Sequence, residues 1–333
     1  MKGEKLRIAI GLGATCSGCD IAILDINERI LELAEIADIV FWPPVMDGKF
    51  HDLEEMDEID VAIFHGSLKM SHHVKTAKIL REKAKYFVAF GACACFGGVF
   101  GLFNIRGRER VLDDVYPADD PHTGGVRPLD STEIIRGADP LEMPRFLDWV
   151  QLVPDHVKVD LWVPGCPPVA EQMNTILGAL KTYHETGKLP PSGTVLAGET
   201  TLCEECPREK PETVVIERLY RPHEKKLDEE KCFLSQGVIC VGPVTRSGCG
   251  ELCIRANSPC RGCFGPMPGV KDMGAKAISS ISSIVQMHKE GKIPEDEVGS
   301  MVENYVDTLG TFYRFTLPSS YISRSLKHGG GDK

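Results

Sequence analysis

LRIAIGLGATCSGCDIAILDINERILELAEIA, residues 6–37, reads as a strand, a glycine-rich turn and a helix. LRIAIGLG (6–13) is a short apolar run closed by glycine, the pattern of a strand buried on both faces. Beyond the turn, Ile23, Ile26, Ile30, Leu33 and Ala37 recur at helical spacing and predict one amphipathic helix through DIAILDINERILELAEIA. The same alternation continues with DIVFW (38–42), DVAIFHG (60–66), a helical SHHVKTAKILREKA (71–84), YFVAFG (86–91), VDLWVPG (159–165) and a helical VAEQMNTILGALKTYHETG. Strand and helix in repetition imply an α/β fold, a doubly wound parallel sheet with helices on both faces.

KLPPSGTVLAGE (188–199) reads as the linker out of that sheet, dividing the chain into domains at 1–190 and 191–333. The second begins loop-rich and cysteine-dense, to about residue 268, and closes with two predicted helices, VKDMGAKAISSISSIVQMHKEG and EDEVGSMVENYVDTLGTFYRF. The tail LKHGGGDK is expected to be disordered. Residues 101–150 form a long excursion between strands, rich in Gly, Pro and charge, and read either as a partner-docking surface or as a surface insertion.

At 333 residues and 42% apolar, the chain can bury a full core without disulfide staples. MKGEKLRIAI lacks the apolar stretch of a secretion signal, and no apolar run is long enough to span a bilayer, so a cytoplasmic protein is expected. A net charge of −10 argues against binding nucleic acid, and the short basic run RPHEKK (221–226) reads as a solvated loop.

Thirteen cysteines in a reducing compartment point to metal rather than to disulfides, and the odd count would leave one unpaired. Cys16 and Cys19 lie just past the first strand, Cys93 just past YFVAFGA, and Cys166 just past VDLWV. In an open parallel sheet the binding crevice lies outside the carboxyl ends of the strands, so these four thiols converge. Four thiolates suit zinc or a 4Fe-4S cluster. The glycines of GLGATCSGC, GACACFGG and PGCPP favour the cluster, because they let backbone amides approach sulfur. GLGATC is no dinucleotide fingerprint, since Cys16 occupies the third glycine's place.

Taken together, CSGC, GACACFGG, PGCPP, CEEC, GVICVGPVT and SPCRGCFGP resemble the small, electron-transferring subunits of nickel-iron hydrogenases, related in their first domain to an iron-sulfur subunit of complex I. These motifs span most of residues 6–268. The resemblance implies a flavodoxin-like first domain in which Cys16, Cys19, Cys93 and Cys166 hold a proximal 4Fe-4S cluster facing a separate nickel-iron large subunit. It further implies a distal cluster on Cys203, Cys206, Cys232 and Cys240, and a medial cluster on Cys249, Cys253, Cys260 and Cys263, with Cys95 as the spare thiol. Periplasmic relatives often have histidine where this chain has Cys203 and proline where it has Cys253; thiolates at both imply three 4Fe-4S clusters of low potential.

Within the family the pattern is most similar to viologen-reducing, deazaflavin-independent cytosolic hydrogenases of methanogens. That similarity implies electron delivery through a small 2Fe-2S protein to heterodisulfide reductase. Deazaflavin-reducing and nicotinamide-linked cytosolic hydrogenases are the alternatives, followed by a zinc-stabilised interaction module and a one-cluster subunit of the complex I type. Asp20 reads either as a proton-relay carboxylate or as an acid favourable in a first helical turn, His72 and His73 as solvated, and Phe96 and Phe100 as packing.

Overall fold

The structure, a computed structural model, describes residues 4–127 apart from 123, 143–288 apart from 213, 215 and 217, and 307–323. Among these residues the strands are β1 (Leu6–Leu12), β2 (Ala37–Phe41), β3 (Ile59–His65), β4 (Leu68–Met70), β5 (Ala84–Phe90), β6 (Phe146–Gln151), β7 (Leu161–Val163) and β8 (Thr194–Val195). Six of them make one sheet in the order β2-β1-β3-β5-β7-β8, every neighbouring pair parallel. Reversal of strand order about β1 is the mark of the doubly wound, flavodoxin-like arrangement.

The helices of this half are α1 (Gly18–Leu24), α2 (Ile30–Ile36), α3 (Phe50–Glu55), α4 (Ser71–Lys83), α5 (Gly91–Phe96), α6 (Gly107–Val115) and α7 (Ala170–Thr186). Alternation along β1 feeds two cores. Ile8 and Ile10 point to one face with Ile23, Leu33, Met173 and Leu177 from α1, α2 and α7, while Ala9 points to the other with Ala77 and Leu80 from α4. A third core, built from residues 202–317, gathers Phe233, Val238, Val241, Ile254, Met273 and Tyr313 together with Cys240 and Cys260.

Two expectations change. The single helix over 20–37 is broken: α1 ends at Leu24, Asn27 takes a left-handed φ of 52°, and a short 3-10 turn leads into α2. Ile23, Ile26, Leu33 and Ala37 are nevertheless buried, so the apolar face is correct although the axis is not continuous. The stretch expected as linker contributes β8, the edge of the sheet, paired with β7 at Leu161↔Thr194; its two residues lie behind Pro190 and Pro191, which read locally as a turn.

The described part of the excursion is ordered. It contains α6 and β6, and β6 pairs antiparallel with β4. Asn104 locks β6 in place, its Oδ1 accepting from Val150 N at 2.7 Å and its Nδ2 donating to Val150 O at 3.0 Å. Residues 128–142 of the excursion, 295–306 of the last predicted helix and the tail LKHGGGDK lie outside the described residues; of that helix the structure describes Thr308–Phe312. Met273–His288 realises the helix before it. RPHEKK forms a largely exposed turn, as expected.

Candidate metal centres

Cys16 sits in the loop after β1 and Cys19 in the first turn of α1. Cys93 lies in the first turn of α5, immediately beyond β5, and Cys166 in the loop beyond β7. The fold brings the four together: burial raises the Cys19 thiol far above its usual range, and the nearby charges of Cys93, Cys166 and Cys16 raise it further. Cys93 is pushed up to about 11, by burial first and by Cys166 and Cys16 next, against a hydrogen bond from Ser67. Glycine makes the room. Gly91, at φ +84°, leaves a position where a Cβ would stand 2.5 Å from Cys19 Sγ, and a Cβ at Gly98 would overlap Cys93 Sγ. A left-handed Ser17, φ 63°, turns the chain between Cys16 and Cys19.

The other eight predicted ligands form two further groups. Cys203 lies within a four-residue helix, Leu202–Glu205, and Cys206 directly after it, and with Cys232 and Cys240 they line one cavity. Burial, then Cys240, Cys232 and Cys206, push Cys203 up to about 12. Gly242 again faces sulfur, its would-be Cβ 3.3 Å from Cys203 Sγ and 3.5 Å from Cys240 Sγ.

Cys249, Cys253, Cys260 and Cys263 line a cavity of about 410 Å³, and Cys166 of the first group reaches its wall. Cys263 is pushed up to about 12 by burial and then by Cys253, Cys249 and Cys166, while Cys260 is raised by burial and then by Cys240. Each outer group therefore lies within electrostatic reach of the middle one. Raised thiol pKa values mean that any metal entering these groups must displace protons. All thirteen cysteines are free of disulfides.

Among the described residues no three His, Cys, Asp or Glu side chains meet at the spacing of a single metal ion. The spare thiol, Cys95, is buried in the first half's core with its Sγ 3.4 Å from Ala89 O.

Asp20 is 5% exposed, accepts a hydrogen bond from Trp42 Nε1 at 2.8 Å, and stands 3.0 Å from His65 Nε2, a contact out of line for a well-formed hydrogen bond. Desolvation would raise its carboxyl, but the contacts with His65 and Trp42 outweigh it and hold the pKa below the usual value. The sequence offered no sign of His65, which reads locally as the last residue of an apolar strand.

His72 is exposed and packs against Phe50, centroids 4.6 Å apart. His73 departs from the solvated reading: its Nδ1 accepts from Lys69 N and Met70 N, both at 3.2 Å, and burial lowers its pKa to about 4. Phe96 packs on Trp162, and Phe100 is half-buried.

The seam between the two halves is tight. Gly98 N donates to Phe315 O at 3.1 Å, the Pro318 ring fills the space above Gly97 and Gly101, and the Phe96 ring fills that above Gly265. Arg314 and Phe315 also line the middle cavity.

Residues 16–180 match the family described as NADH ubiquinone oxidoreductase, 20 Kd subunit, in keeping with the expected relation of the first domain to complex I. Over nearly its full length the chain is similar to the iron-sulfur subunit of the F420-non-reducing hydrogenase of Archaeoglobus profundus, 34% identical with 96% of this chain and 99% of the relative covered. It is also 36% identical to the corresponding F420-non-reducing hydrogenase subunit of Methanothermobacter thermautotrophicus, covering 98% and 99%. A recombinant NiFeSe hydrogenase chain from Desulfovibrio vulgaris Hildenborough shares the fold at a TM-score of 0.51 and 18% identity, over 80% of this chain and 95% of that one. With four cysteines at the carboxyl ends of a doubly wound sheet and relatives that match over nearly their full length, the chain belongs to the family of F420-non-reducing hydrogenase iron-sulfur subunits.

Proposed function

We propose that this subunit is the electron relay of a cytoplasmic hydrogenase, holding three 4Fe-4S clusters, each on one of the three cysteine groups. When bound, such clusters pass single electrons, which here would come from dihydrogen oxidised on the large subunit and leave by way of a 2Fe-2S protein to heterodisulfide reductase. The observation that carries the reading is the order of the thiols: Cys166 reaches the wall of the middle cavity, and Cys260 of that cavity lies within electrostatic reach of Cys240. The donor chemistry suits the clusters, and at the middle site the space does too. Four thiols surround each site, glycines 91, 98 and 242 leave the sulfurs uncrowded, and the middle cavity is far larger than one ion.

Cys19, Cys93, Cys240, Cys260 and Cys263 would bind as thiolates, shielded from water by the apolar residues that now raise their pKa values. Cys16 and Cys166 are exposed, as are Ile21 and Leu24 on α1 beside Cys19 at 58% and 43%. This open, apolar face is where the large subunit would seat. No helix among the described residues is long and apolar enough to cross a membrane.

The test is metal and acid-labile sulfide analysis of the anaerobically purified complex. About twelve irons and twelve sulfides per chain are expected, and Cys206→Ala and Cys263→Ala should each remove about four irons. Zinc in place of iron, or iron unchanged in both variants, would overturn the relay.

A further inference from the structure

The cavity shared by Cys203, Cys206, Cys232 and Cys240 is also lined by Arg208, a side chain only 5% exposed. Its guanidinium is fixed from several sides. Nη1 donates to Asp228 O at 2.8 Å and Lys231 O at 2.9 Å, Nη2 to Asn257 Oδ1 at 2.7 Å and Ile254 O at 3.3 Å, and the group lies 3.9 Å from the centroid of the Phe233 ring. Every one of those partners is neutral. Nε has no hydrogen-bond partner, and among the described residues no carboxylate pairs with this cation.

Burying a guanidinium without a counter-charge is strongly unfavourable, and arginine cannot escape by losing its proton. Among the described residues, two other buried charges meet an opposite one: Asp160 takes Arg81, and Glu251 takes Arg255. Arg208 alone among these is a fixed charge with no opposite sign beside it.

We propose that Arg208 is the counter-ion of the distal cluster: its charge and its free Nε–H answer the sulfur-rich anion held by Cys203, Cys206, Cys232 and Cys240 and raise that cluster's reduction potential. The inference rests on the distal assignment made above. A reduced cluster carries one more negative charge than an oxidised one, so a fixed nearby cation stabilises the reduced form more. The surroundings of the three groups differ in the same sense. Asp20 stands beside Cys19, Glu205 and Glu251 beside Cys249, and the middle cavity mixes Glu251 with Arg261 and Arg314. The distal cavity has Arg208 and Lys210 on its wall and, among the described residues, no acid. An electron is thus drawn toward the distal site, where it waits for the acceptor.

The experiment compares wild type, Arg208→Gln and Arg208→Lys in the purified complex, by iron and sulfide content and by redox titration followed by EPR. The expected result is full iron in all three, one reduction potential shifted downward in the Gln variant, and a smaller shift or none in the Lys variant. Full iron with every potential unchanged in Arg208→Gln overturns the proposal. Should the Gln variant lose a cluster, the Lys variant decides: retention supports a required charge, whereas equal loss assigns Arg208 to packing and overturns the proposal. A wild-type count near eight or four irons would instead strike the distal assignment and remove this inference with it.

Discussion

Gly91 carries two demands at one position. Its φ of +84° lies in the left-handed region that side chains avoid, and any Cβ would stand 2.5 Å from Cys19 Sγ. Gly91→Ala should therefore cost about 1–3 kcal/mol of stability and about four irons per chain, with the remaining clusters kept; sulfide and iron analysis beside a melting curve measures both. The glycine and cysteine motifs were legible in sequence because they sit at strand ends, where the topology places a crevice. Arg208 and His65 were not. Each reads locally as ordinary, one in a charged loop and one closing an apolar strand, and only burial against partners distant in sequence gives them meaning. The inward turn of His73 was equally hidden, because a helix start faces water as often as it caps its own turn.

Among the elements, the segment Tyr313–Ser323 does the most joining with the fewest residues. Pro318 rests on Gly97 and Gly101, Phe315 receives a hydrogen bond from Gly98, and Asn104 Nδ2 donates to Ser323 Oγ at 3.2 Å. Gly101→Ala would push the proline ring off its seat. The expected outcome is a loss of about 1–3 kcal/mol and faster hydrogen exchange in residues 313–323, with iron content unchanged; unaltered exchange there would show that the stack does not hold the seam. Strand and helix identity in the sheet was legible from periodicity, while breaks were harder to see. The helix interruption at Asn27 keeps the apolar face in phase on both sides, so the pattern of Ile23, Ile26 and Leu33 looks continuous. Strands β6 and β8 are recognisable only through their partners, Leu68–Met70 and Leu161–Val163.

Over the whole molecule, stability is distributed unevenly. The sheet carries an apolar core on each face, whereas the core of residues 202–317 counts Cys240 and Cys260 among its own members and packs against Cys206, Cys232 and Cys249. Removing iron with a chelator should therefore loosen the second half while leaving the sheet folded. Limited proteolysis should cut between 200 and 268 first, and cleavage spread evenly over both halves would contradict this account. The division of labour was readable in the clustering of cysteines, but the seam was not, because its contacts seat proline and phenylalanine rings on glycines distant in sequence, which carry no local signal. Arg314 and Phe315 at that seam wall the middle cavity, and the ribosome makes them after all the cysteines. The wall of that cavity is thus finished by residues far down the chain, so its full lining exists only once the segment Tyr313–Ser323 has docked.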